Sequence, residues 1–335
     1  MKIVIPMAGK GSRLRPHTLT VPKPLIPIAG KPIVQRLVED IARVVKTPIE
    51  EIVFIVGDFG QEIEKGLIQV AKDLCIKASI CYQEQPLGTA HALLCAKAAF
   101  NGPIVIAFAD TLFRADFDLN TEADGLIWTK QVENPSAYGV VKCDAAGYIT
   151  DFVEKPASFV SDLAIIGIYY VKNSSLLREE LEYILDRDIK ENGEYQLTNA
   201  LENMRKKGLR FLPSKVDEWM DSGSKNTIID TNSKILEFER GRVRLIHLQA
   251  CIKNSLIIEP CFIGADAVIE NSKVGPYVSI GKHTMVKNSN IETSLIQDHA
   301  EITHANLSNS MIGNNTTYIG VAREISLGDY SVLGF

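Results

Sequence analysis

Apolar residues recur in two different rhythms along this chain. Up to about residue 235, short continuous apolar runs alternate with helical periods. Ile3-Val4-Ile5 reads as a buried strand, and Val34, Leu37, Val38, Ile41 and Val45 mark one face of a helix. Ile52–Val56 is a second continuous strand and Gln61–Leu74 a second amphipathic helix; Ala78–Tyr82 and Ile104–Ala109 add further strands. This order predicts an α/β fold, a Rossmann-like, doubly wound, mostly parallel sheet with helices on both faces. Ligands of such sheets sit beyond the carboxyl ends of the strands. Gly9, Gly11 and Asp110 each follow a strand, so one crevice can hold all three.

Beyond residue 250 the rhythm changes. Aliphatic residues stand at Ile263, Ile269, Val274, Ile280, Val286, Ile291, Ile296, Ile302, Leu307 and Ile312, five or six residues apart. Ala, Ser, Asn and Thr fill the gaps. No helix has that period, and no hairpin meander repeats so tightly. The pattern suits a β-solenoid, in which each short side contributes one inward aliphatic and stacked coils bury a column of them. Two domains are therefore expected, 1–240 and 241–335.

Composition narrows the function. With 335 residues, 46% of them hydrophobic, the chain can bury one large core or two. A net charge of −5 argues against a general polyanion binder, so no nucleic acid partner is expected and any phosphate binding must be local. The six cysteines show neither Cys-x-x-Cys nor zinc spacing and read as reduced, mostly buried thiols of a cytoplasmic protein. No apolar run approaches the roughly 20 residues that span a bilayer, so no membrane partner is expected.

The first turn reads Pro6-Met7-Ala8-Gly9-Lys10-Gly11-Ser12-Arg13-Leu14-Arg15-Pro16, followed by Pro22-Lys23-Pro24-Leu25. Glycines after a strand let the backbone approach an anion closely, and Arg13 and Lys23 add full charges. Two familiar phosphate motifs fail here. A dinucleotide fingerprint needs a third glycine where Leu14 stands, and a Walker A loop needs Ser or Thr where Pro32 follows Gly30-Lys31. The prolines on either side of Lys23 stiffen that segment.

Taken whole, Gly9-x-Gly11-x-Arg13-Leu14-x-Pro16 with Pro22-Lys23-Pro24-Leu25-x-Pro27-Ile28-x-Gly30-Lys31-Pro32 resembles the signature of the sugar-1-phosphate nucleotidyltransferases. The solenoid pattern is similar to the hexapeptide left-handed β-helix that often follows their catalytic domain. The resemblance implies a nucleoside triphosphate and a sugar-1-phosphate as substrates, Mg²⁺ as cofactor and a homo-oligomer. It assigns Arg13, Lys23 and Asp110 to catalysis, Asp110 and Asp221 to the metal, and Ala8, Gly9, Gly11, Ser12 and Arg13 to the nucleotide. Gln83-Glu84-Gln85-Pro86-Leu87-Gly88-Thr89-Ala90-His91 resembles the base-recognition loop, with Gln85, Gly88 and Thr89 as contacts and Gln83 as the substitute for Gln85. Gly139, Glu154, Lys155 and Glu194 fall on the sugar-phosphate side, although an acidic helix start explains Glu194 equally well. His91 begins an Ala/Leu-rich helix, which favours a packing or supporting role over that of a base.

The reaction implied is attack of the sugar phosphate on the α-phosphorus with loss of pyrophosphate, which needs no side-chain nucleophile. dTTP or UTP with glucose-1-phosphate is the favoured pairing. Ala8-Gly9, Tyr195-Gln196-Leu197-Thr198 and Asp221-x-Gly223-x-Lys225 resemble uridylyltransferases, and the overall length resembles the thymidylyltransferase branch. The alternatives are a mannose-1-phosphate guanylyltransferase, a non-catalytic nucleotide-sugar-binding subunit, and a bifunctional enzyme using His283, His299 or His304 for acyl transfer. Those histidines fit outward-facing corners of the solenoid better.

Overall fold

Ile3, Val4 and Ile5 are inaccessible to solvent because strand β1 (Lys2–Pro6) runs between two parallel neighbours. The computed structural model describes residues 1–9, 11–116 and 119–320. After β1 come α1 (Ile33–Val44), β2 (Glu51–Val56), α2 (Gln61–Asp73), β3 (Lys77–Tyr82) and α3 (Thr89–Leu94). They are followed by β4 (Ile104–Ala107), β5 (Thr111–Arg114), β6 (Gly125–Gln131), β7 (Val140–Cys143), β8 (Ile149–Val153) and β9 (Leu163–Val171). The series ends with α4 (Ser174–Asp186), α5 (Leu197–Lys206), β10 (Phe211–Lys215) and β11 (Glu218–Asp221).

Among the described residues one nine-stranded sheet runs β8-β7-β9-β4-β1-β2-β3, with β6 paired to β9 and β10 to β6. The half β4-β1-β2-β3 is parallel throughout, as the alternation of strand and helix requires. The other half is built on β9, which is antiparallel to β4, β6 and β7, so the sheet is mixed. Short connections around β7 and β8 allow antiparallel pairing that a strand–helix–strand crossover does not. The three inner parallel strands, β4, β1 and β2, are buried along almost their whole length, which explains their unbroken apolar runs, whereas the edge strand β3 is half-exposed. The chain forms two compact units: Met1–Ile26 with Lys31–Ser224, and Pro27–Gly30 with Lys225 and the residues after it.

The second unit begins with helix α6 (Lys225–Glu239), which the sequence pattern groups with the first domain. A buried side chain ties it to the solenoid strands. Asn232 Oδ1 accepts from Ser279 Oγ at 2.7 Å and from Ala29 N at 3.1 Å. The strands that follow form three parallel sheets with five, four and four members among the described residues. The arrangement is the one expected of a hexapeptide-type β-helix. Eight of the ten predicted aliphatics, Ile263 through Ile302, form its core, and Leu307 and Ile312 pack against it half-buried. Side chains on neighbouring coils lie 17 residues apart at Asn254–Asn271 and 16 apart at Asn290–Asn306. A strict hexapeptide triangle repeats at about 18, one to two residues longer. The shortened coils turn at residues with left-handed backbone, among them Asn254, Asn271, Asn288, His283, His299 and His304. The expected domain extends to 335, and its residues 321–335 lie outside the described ones.

The cysteines are less buried than their pattern suggests: Cys261 is buried, Cys75 exposed and the other four lie between, all as free thiols. Among the described residues no helix is long and apolar enough to cross a membrane. Ile280 sits at 0% exposure in the solenoid column, so Ile280→Ala is expected to lower stability by about 3 kcal/mol and Ile280→Val by about 1. Equilibrium urea unfolding followed by circular dichroism checks both values.

Candidate active site

The loop after β1 is folded back on itself by small residues. Gly11 has φ 57°, and a Cβ there would stand 3.0 Å from Thr18 Cγ2. Thr18 Oγ1 donates to the Gly11 carbonyl at 2.8 Å, and buried Leu14 anchors the turn between them. The Pro-Lys-Pro segment forms a single 3₁₀ turn, Lys23–Leu25, with Pro24 buried. Held in this way, Lys23 Nζ lies 3.0 Å from Asp110 Oδ2.

The two candidate metal carboxylates are 111 positions apart in sequence and are brought together by a strand pair. β5 and β11 run antiparallel with Asp221 opposite Thr111, and Ser222 N donates to the Asp110 carbonyl at 2.9 Å. Burial, followed by the charge on Asp110, pushes the Asp221 carboxyl above its ordinary pKa; Lys23, the Gly223 N–H and Arg13 pull it down. Gly223 N donates to Asp221 Oδ1 at 3.0 Å. Two neighbouring carboxylates, both offering hard oxygen donors, with the charge of one disfavouring that of Asp221, suit a divalent cation such as Mg²⁺. Among the described residues no cluster of three or more ligating side chains is present. Mg²⁺ is typically bound by one or two carboxylates, with phosphate and water completing its shell.

Two adjoining cavities of ≈ 370 Å³ each share Arg13, Thr89, Phe108 and Asp110. The first is lined by the phosphate-loop residues Ala8, Gly9, Gly11 and Ser12, by Lys23, and by Gly88. Gln83 lines it too, whereas Gln85 does not and is exposed. Gln83 directly follows β3, its N–H donating to Val56 O at 2.8 Å, while Gln85 has entered the outward bend that closes with Leu87 N to Gln85 O. Sequence spacing alone does not separate these two glutamines.

Gly88 opens α3 at φ 117°, and a Cβ there would lie 2.5 Å from Tyr195 O. The loop and the segment 194–197 are laced together, Tyr195 N donating to Leu87 O, Ala90 N to Tyr195 O, and Leu197 N to Thr89 Oγ1. This docking sets Glu194 on the first cavity and not on the second, where its sequence motif suggests. Helix α5 starts only at Leu197, so Glu194 is not a helix-start carboxylate.

The second cavity is lined by Gly139, Glu154 and Lys155, three of the four residues that the sequence groups together, and by the metal candidate Asp221. Burial raises the Glu154 carboxyl above the ordinary range, against the opposing effects of Lys155 and a hydrogen bond from Thr198 Oγ1 at 3.3 Å. Tyr169 and Trp219 line this cavity as well and carry no motif that marks them. Trp219 stands two residues before Asp221 on β11, on the same side of the strand, and this is the signal that finds it. Its indole N–H is buried without a partner among the described residues, and its ring meets Tyr138 edge-on at 4.8 Å. In the second unit, His283, His299 and His304 are exposed at solenoid corners, with the first two rings stacked 4.9 Å apart.

A glycine-rich turn with two cations, a pair of carboxylates at adjacent strand ends and two joined cavities define a phosphoryl-group-handling α/β enzyme. The nucleotidyl transferase family model matches residues 2–237, and the chain belongs to that family. It is 28% identical to a glucose-1-phosphate thymidylyltransferase of Streptomyces antibioticus over 99% of this chain and 98% of that protein. It is 31% identical to the bifunctional protein GlmU of Methanococcus maripaludis over 95% of this chain and 79% of that one. Among solved structures it is similar to UDP-glucose pyrophosphorylase complexed with UDP-glucose, with a TM-score of 0.59 and 25% identity. That match covers 71% of this chain and 98% of the other.

Because a methyl group on Gly88 has no room beside Tyr195, Gly88→Ala is expected to lower stability by at least ~2 kcal/mol. Thermal unfolding of the purified variant checks this.

Proposed function

We propose that the protein transfers a nucleotidyl group from a nucleoside triphosphate, dTTP or UTP, to a hexose-1-phosphate, in first place glucose-1-phosphate. The phosphate oxygen of the sugar attacks the α-phosphorus, the bond to the β-phosphate oxygen breaks, and pyrophosphate leaves. The observation that carries this reading is the meeting of Arg13, Lys23, Asp110 and Asp221 where the two cavities join. One cavity is then the nucleotide's and the other the sugar phosphate's. The thymidylyltransferase and the pyrophosphorylase are each named for a glucose derivative, and the thymidylyltransferase matches over almost the whole chain, which supports the choice of sugar.

In this reading the chain's own groups work mainly by position and charge, as phosphoryl transfer demands. Loop N–H groups and the Arg13 fork hold the triphosphate. Lys23 bridges Asp110 and the reacting phosphates, and Lys155 orients the sugar phosphate. Glu154 accepts hydrogen bonds from sugar hydroxyls. Mg²⁺ on Asp110 and Asp221 supplies charge neutralisation between the two anionic substrates.

Pyrophosphate release measured with five nucleoside triphosphates against several sugar-1-phosphates tests the assignment; absence of turnover with every pair would overturn it. Lys23→Ala is expected to lower kcat by roughly 10²-fold, by analogy with a lost transition-state donor, and Asp110→Asn to abolish turnover with the fold intact. A change in KM alone for Lys23→Ala would reduce Lys23 to a ground-state contact.

The raised pKa of Glu154 gives a pH prediction. The carboxylate accepts hydroxyls at both oxygens with its full charge, whereas the acid has turned one oxygen into a donor and accepts more weakly, so KM for the sugar phosphate rises as pH falls through that raised value. The rise begins at higher pH than a free glutamate, near 4.3, would give. Glu154→Gln removes this component and leaves only the titration of the sugar phosphate itself, so comparing the two KM–pH profiles isolates it.

A further inference from the structure

The Gln83 side-chain amide is held by two hydrogen bonds that together fix which way round it faces. Its Nε2 lies 3.3 Å from the Gly88 carbonyl and 3.1 Å from His91 Nδ1. We infer that His91 is a positioning residue that orients the Gln83 amide with its carbonyl toward the first cavity, and so selects bases that carry a proton on the ring nitrogen of their pairing edge. This rests on reading that cavity as the nucleotide site.

The Gly88 carbonyl only accepts, so the amide atom facing it is the NH₂ group. That group has two hydrogens. One serves Gly88, and the other is directed at His91 Nδ1, which must then offer a lone pair. The imidazole is therefore neutral with its proton on Nε2. Burial lowers the His91 pKa from its ordinary value, which favours the neutral ring at pH 7. His91 is fixed in its turn as the third residue of α3, whose first residue, Thr89, is bonded to Gln196 and Leu197.

With both N–H groups committed, the hydrogen-bonding atom that Gln83 has left for the cavity is its carbonyl oxygen, and a carbonyl only accepts. Uracil, thymine and guanine present a ring N–H at the centre of their pairing edge; cytosine and adenine present a lone pair there. Opposite Gln83 the second group leaves two acceptors facing each other, and an unpaired buried polar group is costly enough to discriminate strongly. A glutamine bound only to Gly88 has no such polarity, because its second N–H is free to turn to the ligand. The selectivity lies in the His91 bond and not in the glutamine alone.

The test measures kcat/KM for dTTP, UTP, GTP, CTP and ATP with glucose-1-phosphate in the full chain. The readout is the ratio of the best of the first three to the better of the last two. Wild type is expected to favour the first group. His91→Leu should lower the ratio about tenfold, mainly through the nucleotide KM. His91→Gln, whose amide stands nearer the place of Nε2, should lower it likewise and covers the case of a Leu variant that does not fold. His91→Asn puts an acceptor close to the place of Nδ1 and should hold the ratio within about threefold of wild type. A wild-type preference for CTP or ATP overturns the inference. So does an unchanged ratio in folded His91→Leu or His91→Gln, or a loss in His91→Asn as large as in the other two. Gln83→Ala separates the two levels of argument. If it too leaves the ratio and the nucleotide KM unchanged, the nucleotide reading of the cavity fails; if it collapses the ratio while His91→Leu does not, only the role of His91 falls.

Discussion

Two carboxylates that repel each other are held side by side, and the arrangement of the first unit follows from that constraint. Asp110 leaves the end of β4, a central strand, and Asp221 ends β11, which pairs with β5 immediately after Asp110. Neither residue can withdraw, because the backbone bond from Ser222 to Asp110 and the β5–β11 ladder fix both positions. The chain meets the unfavourable charge with Lys23 and Arg13 and with the Gly223 N–H, yet burial still leaves the Asp221 carboxyl disfavoured as an anion. A site that partly resists its own negative charge has a standing demand for a cation. Under the proposed function Asp110 and Asp221 would hold a divalent cation there, which would supply the missing positive charge.

The two loops around this pair solve different problems. The loop after β1 must bring backbone N–H groups and two cations close to phosphate. It does so with little local regular structure, through the Thr18–Gly11 bond, the buried Leu14 and a proline-braced Lys23. In the proposed function the loop after β3 has to present one amide in one orientation, and this loop is the more tightly tied of the two. Gly88 touches the Tyr195 backbone so closely that no side chain fits, and four backbone or hydroxyl bonds stitch 87–90 to 195–197. Charge–charge attraction tolerates small displacements, whereas a directional hydrogen bond weakens steeply with angle, so the second loop needs the stiffer frame.

Much of this was legible in the chain. Continuous apolar runs at Ile3–Ile5, Ile52–Val56 and Ile104–Ala107 give the parallel half of the sheet, because strands covered on both faces leave no polar alternation. The five-to-six residue period gives the solenoid column almost residue for residue, since each side of a coil has only one inward position. Glycines, prolines and charges after strands give the phosphate loop and the carboxylate pair. What escaped has a physical reason in each case. The antiparallel half built on β9 looks like the parallel half, because burial and not direction sets its composition. Gln83 and Gln85 share a residue type and differ only in which has already turned outward. Glu194 is drawn to the first cavity by backbone bonds from Tyr195, and Tyr169 lies in an apolar strand whose pattern hides an aromatic lining a cavity. Helix α6 is tied to the solenoid strands by hydrogen bonds of Asn232 and Glu237, to Ser279 and Tyr277, which no periodicity reveals.

The same geometry explains why the reaction is easier to read from this family's sequences than the base. Groups that meet at the junction of the cavities come from four separate elements: the β1 loop, the Pro-Lys-Pro turn, the end of β4 and β11. Moving any one of them disturbs the other three, so the phosphate chemistry is fixed by the fold as a whole. The base side rests on one short loop, where Gln83, Gly88 and His91 are linked by two hydrogen bonds. A single substitution there changes which atoms face the ligand without touching Asp110 or Lys23. A glutamine at this position becomes informative only when read together with the residue that holds its amide.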